Sequence, residues 1–206
     1  MEEVKWLTWA KQMQAISQNG LAYCKDIYDI ERYEQLRSLS IEILNTYTEV
    51  DSNRIVDLFA KETGYATPKV DIRGVIFQDN KILLVKEKAD GAWALPGGWA
   101  DVGLSPREIV VKEVKEESGF DVAPKRLLAV LDKNKHHHLP SPYHVYKIFI
   151  LCEIIGGSAE EGMETSEVQF FDRANLPQLS EERNTCEQVQ IMFDKGLNVT
   201  SEVMFD

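Results

Sequence analysis

Apolar positions recur at helical spacing through the first third of the chain and at strand spacing after it. Trp6, Trp9, Met13 and Ile16 fall three or four apart, and Ile30, Tyr33, Leu36 and the stretch Ser40 to Leu44 repeat the pattern less regularly. Residues 1–66 are therefore expected to be helical. A third short helix is expected from Ser52 to Glu62, with Asp51 or Ser52 as cap and Gly64 as stop. Thr67-Pro68 then marks a boundary between a helical N-terminal domain, 1–66, and a second domain, 67–206.

From Lys69 the pattern changes. Lys69 to Phe77 alternates and is rich in β-branched residues, and Gln78-Asp79-Asn80-Lys81 reads as a hairpin turn into a strand from Ile82 to Lys86. Further strands are expected near 92–95, 122–132, 143–154 and 167–172, with a closing helix near 181–195. One helix between them is specified in detail: Ser105 as N-cap, Pro106 at the first helical position, Glu108 completing a capping box and Gly119 as the stop. Strands flanking that helix, with another helix at the end, suit an α+β fold of sheet and helices in layers.

This helix carries the chemistry. Glu113, Glu116 and Glu117 are three and four positions apart and share one face, where like charges destabilise a bare helix by roughly 0.2–0.5 kcal/mol per pair. Alone, a Glu/Lys-rich helix reads as a solvated surface. Here Leu95-Pro96-Gly97-Gly98 lies just upstream, and its glycines let backbone amides and carbonyls approach a ligand closely. Hard oxygen donors beside such a turn suit Mg²⁺, or Mn²⁺, which bind phosphate oxygens in their remaining positions.

The constellation resembles the Nudix box, Gly-x5-Glu-x7-Arg-Glu-U-x-Glu-Glu-x-Gly-U, where U is a bulky aliphatic residue. Gly98, Glu113, Val114, Glu116, Glu117, Gly119 and Phe120 match, with Phe120 aromatic where an aliphatic is usual. Leu104 stands where the box has Glu, and Lys112 where it has Arg. Those two family residues commonly form an ion pair bracing loop against helix, so the departures read as one coupled change. The resemblance, which runs from about residue 68 to 195, implies an α/β/α sandwich with a mixed sheet.

It further implies that Glu113, Glu116 and Glu117 hold Mg²⁺, helped by a carbonyl of the Gly97 to Ala100 turn. Glu116 is then expected to be catalytic. Glu164, in the loop before the last strand, is the expected general base, while Glu160 and Glu161 read as solvated. Expected substrate contacts are Arg73, Lys86, Trp93, Gly97 and Gly98, Arg73 being equally readable as half of a structural ion pair.

The helical extension and Leu176-Pro177-x-Leu179-Ser180-x-x-Arg183 resemble a bacterial Nudix group that acts on nucleoside diphosphates linked to another group. That implies cleavage of a small-molecule nucleoside diphosphate derivative to nucleoside monophosphate and a phosphorylated product, with CDP-choline as leading substrate and ADP-ribose next. A homodimer is expected through the tryptophan-bearing helical hairpin, unless Trp6 and Trp9 pack the bundle instead.

Composition narrows the alternatives. With 206 residues, 44% of them hydrophobic, the chain supplies one medium domain and a small appendage. Three scattered cysteines, Cys24, Cys152 and Cys186, show no zinc spacing or disulfide framework. No apolar run approaches ~18 residues, and Met1-Glu-Glu-Val lacks the basic start of a signal peptide, so a cytoplasmic protein without membrane contact is expected. The net charge of −11 opposes a broad grip on nucleic acid. An RNA-end phosphodiesterase remains the disfavoured alternative, as does a non-catalytic ligand-sensing regulator, for which the chain offers no basic recognition helix. His136-His137-His138 reads as a mobile lid or a plain exposed loop.

Overall fold

The computed structural model describes residues 5–48, 62–139 and 141–206. It divides into two compact units, residues 1–68 with 140–144 and residues 69–139 with 145–206.

The first unit is a helical hairpin, α1 (Lys5–Tyr23) and α2 (Ile27–Tyr47). Asp26 caps α2, accepting hydrogen bonds from the Tyr28 and Asp29 amides. Leu7, Ala10 and Leu44 form its buried centre with Trp6 packed alongside, and Trp6 stacks on Tyr47 with centroids 5.3 Å apart. Ser40 donates to the Ala10 carbonyl at 2.8 Å across the pair. The other three residues of the apolar stripe divide, since Trp9 and Ile16 are exposed and Met13 is partly buried. The expected helix from Ser52 to Glu62 lies outside the described residues except at its last position.

The second unit is built on eight strands: β1 (Lys69–Gln78), β2 (Lys81–Glu87), β3 (Trp93–Ala94), β4 (Gly97–Trp99), β5 (Phe120–Asp132), β6 (Val145–Gly157), β7 (Thr165–Phe171) and β8 (Met204–Phe205). Their order is β3-β2-β1-β6-β5-β8, with β4 also on β1 and β7 also on β2. β1 and β6 run parallel, as do β5 and β8, and the other pairs are antiparallel. The sheet is therefore mixed, as expected. Helix α3 (Pro106–Ser118) packs Ile109, Val110 and Val114 against Ile72, Ile76 and Leu83. Helix α4 (Cys186–Leu197) packs Val189, Met192 and Phe193 against Val75, Ile82 and Leu128. The sheet thus separates two apolar layers, because residues of opposite parity on β1 serve opposite helices.

The α3 capping box forms as predicted, and Gly119 ends the helix at φ 77°. The closing helix starts later than expected, at Cys186, because Thr185 and Gln188 form its capping box. Strands β4 and β8 were not anticipated. All three cysteines are free thiols. Among the described residues no helix is long and apolar enough to cross a membrane.

The His136–His138 segment is a turn whose three imidazoles all have polar partners. His136 is buried, 3.1 Å from the Asp206 carboxylate; His137 is exposed, 3.1 Å from Glu187; and His138 is partly buried, 2.7 Å from the Glu181 carbonyl and 2.9 Å from Gln188 Oε1.

Candidate active site

Pairing of β4 with β1 places Gly97 opposite Arg73 and Gly98 opposite Ile72, so the glycine turn is a short strand laid across the end of α3. Gly97 has φ 141°, and a Cβ there would lie 2.0 Å from the Ile72 carbonyl oxygen; only glycine fits. Its amide donates to Glu117 Oε2 at 2.8 Å. A Cβ on Gly98 would come within 2.9 Å of Glu113 Oε2. The two glycines therefore cradle two of the three acids.

The three acids differ in environment. Glu117 is buried, Glu113 half-buried and Glu116 exposed on the same helix. Burial pushes the Glu117 carboxyl up to about 8 against the pull of Arg73 and the Gly97 amide, with Glu87 and Glu113 pushing further upward. Burial likewise raises Glu113 against the pull of Lys112.

Lys112 Nζ lies 3.6 Å from Glu113 Oε1 and 3.8 Å from Glu116 Oε2, but its short contact is Asp101 Oδ2 at 2.8 Å. Asp101 thus supplies an acid in the loop where Leu104 replaces the family's glutamate. This exposed ion pair links the loop to α3 three positions before Leu104.

Among the described residues no three carboxylate, imidazole or thiol groups converge on one point. Mg²⁺ is commonly held by one or two carboxylates together with substrate phosphates rather than by an all-protein cage. Buried and half-buried carboxylates with raised proton affinity, drawn together by glycines, are a donor set short of positive charge. They fit a hard divalent cation.

Glu164 is exposed, on a loop fastened to the end of α3. Lys88 Nζ donates to the Gly162 carbonyl at 2.9 Å and the Met163 carbonyl at 3.2 Å, and its amide to the Glu164 carbonyl at 2.9 Å. Thr165 Oγ1 donates to the Glu117 carbonyl at 2.6 Å, and the Glu160 amide to the Ser118 carbonyl at 3.0 Å.

The other expected contacts are engaged by the protein itself. Arg73, 4% exposed, gives Nε and Nη2 to the Asp71 carboxylate at 2.8 and 2.7 Å and Nη1 to the Leu95 carbonyl at 3.0 Å. Lys147 Nζ completes that buried group at 2.8 Å from Asp71. Burial would raise the Asp71 carboxyl, but Arg73 and Lys147 outweigh it and hold it well below the usual range. Trp93 is a core residue set edge-on to Phe171 at 4.7 Å. Lys86 Nζ pairs with Glu167 at 2.7 Å and lies 6.0 Å over the Trp93 ring.

Asp101 and Glu87 went unrecognised from sequence. Glu87, 2% exposed, pairs with Arg183 at 2.8 Å; burial raises its carboxyl against Arg183 and Arg73, and Asp90 and Glu164 raise it further. A charged residue at an inward position of a buried strand was the available signal.

Comparison with known proteins is consistent with this geometry. Residues 67–189 match the model of the NUDIX domain, and residues 4–59 that of a UDP-X-like, N-terminal oligomerisation domain. The chain is 52% identical over 204 residues to the Bacillus subtilis protein named "Putative ADP-ribose pyrophosphatase YjhB", covering 99% of this chain and 98% of that one. A solved ADP-ribose pyrophosphatase from Streptococcus suis is 46% identical with a TM-score of 0.62, over 68% of this chain and all of the other. A solved UDP-X diphosphatase is 37% identical with a TM-score of 0.63, over the whole of both chains.

Proposed function

We propose, on the premise that this chain belongs to the Nudix hydrolase family, that it hydrolyses the diphosphate of a nucleoside diphosphate linked to a second group. ADP-ribose is the first substrate, since two similar proteins carry that name. CDP-choline, which the sequence put first, becomes the second to test. The observation that carries the reading is the buried Glu117 carboxylate, fixed by the Gly97 amide at 2.8 Å on the same helix as Glu113 and Glu116.

Glu113, Glu116 and Glu117 would hold Mg²⁺ or Mn²⁺, which when bound supplies Lewis-acid stabilisation of charge on phosphoryl oxygens. The protein's own part is orientation. Gly97 holds one oxygen of Glu117, and Asp101 takes the shortest contact of Lys112, which also pairs at longer range with Glu113 and Glu116. Glu164 is the proposed base for the attacking water, on a loop that Thr165 fastens to α3 and Lys88 to the end of β2. Water attacks phosphorus, the bridging P–O bond breaks, and the products are a nucleoside monophosphate and a phosphorylated second group.

The enzyme works as a homodimer in this reading. Trp9, Ile16 and Tyr23, seven positions apart on α1, are exposed at 57%, 54% and 70%, a helical stripe suited to a second copy.

A panel of ADP-ribose, CDP-choline, nucleotide sugars, dinucleoside polyphosphates and short RNA, with and without Mg²⁺, tests the assignment. Cleavage of ADP-ribose to AMP only with the metal supports it, and cleavage of RNA alone removes it.

A further inference from the structure

The acids around the glycine turn create a problem for a polyanionic substrate, and the nearby cations are mostly spent. Arg73 is buried on Asp71 and Leu95, Lys86 is paired with Glu167, Lys88 with two carbonyls, and Lys112 with Asp101. Arg183 differs. Its Nε lies 2.8 Å from Glu87 Oε1, and its Nη1 donates to Ser180 Oγ at 3.1 Å and lies 3.6 Å from Asp90 Oδ2. Among the described residues Nη2 makes no hydrogen bond, and the side chain is 24% exposed.

The anchors are themselves fixed. Ser180 is buried and donates to Asp90 at 2.7 Å. Its segment is stitched to β3: the Ser180 amide donates to the Trp93 carbonyl at 2.8 Å, the Trp93 amide to the Gln178 carbonyl at 2.9 Å, and the Leu95 amide to Asn184 Oδ1 at 2.9 Å. Leu95 is two residues before Gly97, so the residue next to Arg183 in sequence is bonded to the strand-to-turn segment that leads to Glu117's partner. Glu87 links them: it meets Arg183 at 2.8 Å and sits opposite Thr165 in the pairing of β2 with β7, and Thr165 Oγ1 donates to the Glu117 carbonyl at 2.6 Å.

A buried ion pair is weak evidence for stability, because apolar replacements often do as well. The hydrogen bond to buried Ser180, with the Glu87 charge 2.8 Å from Nε, does, however, orient a planar donor fork, and such forks match phosphate oxygens. We propose that the unspent Nη2 edge of Arg183 binds a phosphate oxygen of the nucleoside diphosphate substrate, with Glu87 and Asp90 as positioning residues. The inference rests on the pyrophosphohydrolase reading above.

The test is steady-state kinetics on ADP-ribose with Mg²⁺ for wild type, Arg183→Lys, Arg183→Gln and the neutral pair Glu87→Gln with Arg183→Gln, alongside thermal melts. In Arg183→Gln, KM is expected to rise on the order of tenfold or more, as loss of a charged hydrogen bond implies, with kcat within about threefold. Arg183→Lys should recover part of the loss, and added guanidinium ion should lower KM for Arg183→Gln but not for wild type. If Arg183→Gln fails to fold because Glu87 is left unpaired, the neutral pair carries the measurement. A wild-type KM in a variant that melts like wild type overturns the inference alone. A wild type that cleaves no nucleoside diphosphate derivative removes the parent reading and the inference together.

Discussion

Lys112 Nζ lies 2.8 Å from Asp101 Oδ2 and farther from two acids of its own helix, Glu113 at 3.6 Å and Glu116 at 3.8 Å. The loop acid therefore takes the lysine's shortest contact, leaving longer ion pairs to the two carboxylates that would bind metal. Asp101→Asn should release Lys112 toward Glu113 and Glu116 and weaken Mg²⁺ activation several-fold, with Tm within about 2 °C of wild type because the pair is exposed. A Mg²⁺ titration of activity checks this. An unchanged half-saturating concentration would show that the Asp101 contact has no bearing on the site.

Leu104→Glu complements that variant. With Lys112 already paired, the restored acid should change Tm more than turnover. A large gain in kcat would mean that the missing glutamate acts in the chemistry.

The two glycines separate structural from functional need. Gly97→Ala drives a Cβ to 2.0 Å from a backbone oxygen at φ 141° and should cost about 2 kcal/mol or more of stability. Gly98→Ala meets only the mobile end of Glu113 at 2.9 Å, so it should fold and melt normally while its Mg²⁺ requirement rises. Urea unfolding and metal titration of both variants decide the matter, and equal destabilisation would refute the distinction.

Much of this was legible because it depends on short-range chemistry. Ser105, Pro106, Glu108 and Gly119 specify α3 through caps that close within a few residues, and the Glu113/Glu116/Glu117 spacing fixes their shared face. Asp101–Lys112, Glu87–Arg183 and Asp71–Lys147 were not legible, because each pair forms only when separate elements meet. Arg73 and Trp93 show the converse, since chemistry that suits ligand binding in a sequence was consumed by Asp71 and by the core. The closing helix expected near 181 starts at Cys186 because Thr185 caps it.

His138 gives the fold an acid-sensitive element. Burial pulls its imidazole from 6.5 down to about 4, against hydrogen bonds to Glu181 and Gln188, with Lys147 and Lys133 pulling the same way as burial. Between pH 6.5 and about 4 the unfolded chain takes up a proton that the folded chain refuses, so this residue's contribution to stability falls across that window. Melts from pH 7 to 4 should show a shallower decline for His138→Gln than for wild type; parallel curves would contradict the assignment.

The exposed stripe on α1 predicts self-association. Trp9→Asp should halve the solution mass measured by light scattering from that of a dimer. A monomeric wild type, or an unaltered mass in the variant, would show that the stripe has another use.

The central claim is that the α3 acids form the hydrolytic site, and Glu116 tests it most directly because its side chain is 58% exposed and supports no packing. Turnover of ADP-ribose with Mg²⁺ by Glu116→Gln should fall by ~10²-fold or more while its melt matches wild type. Wild-type turnover in that variant would contradict the account.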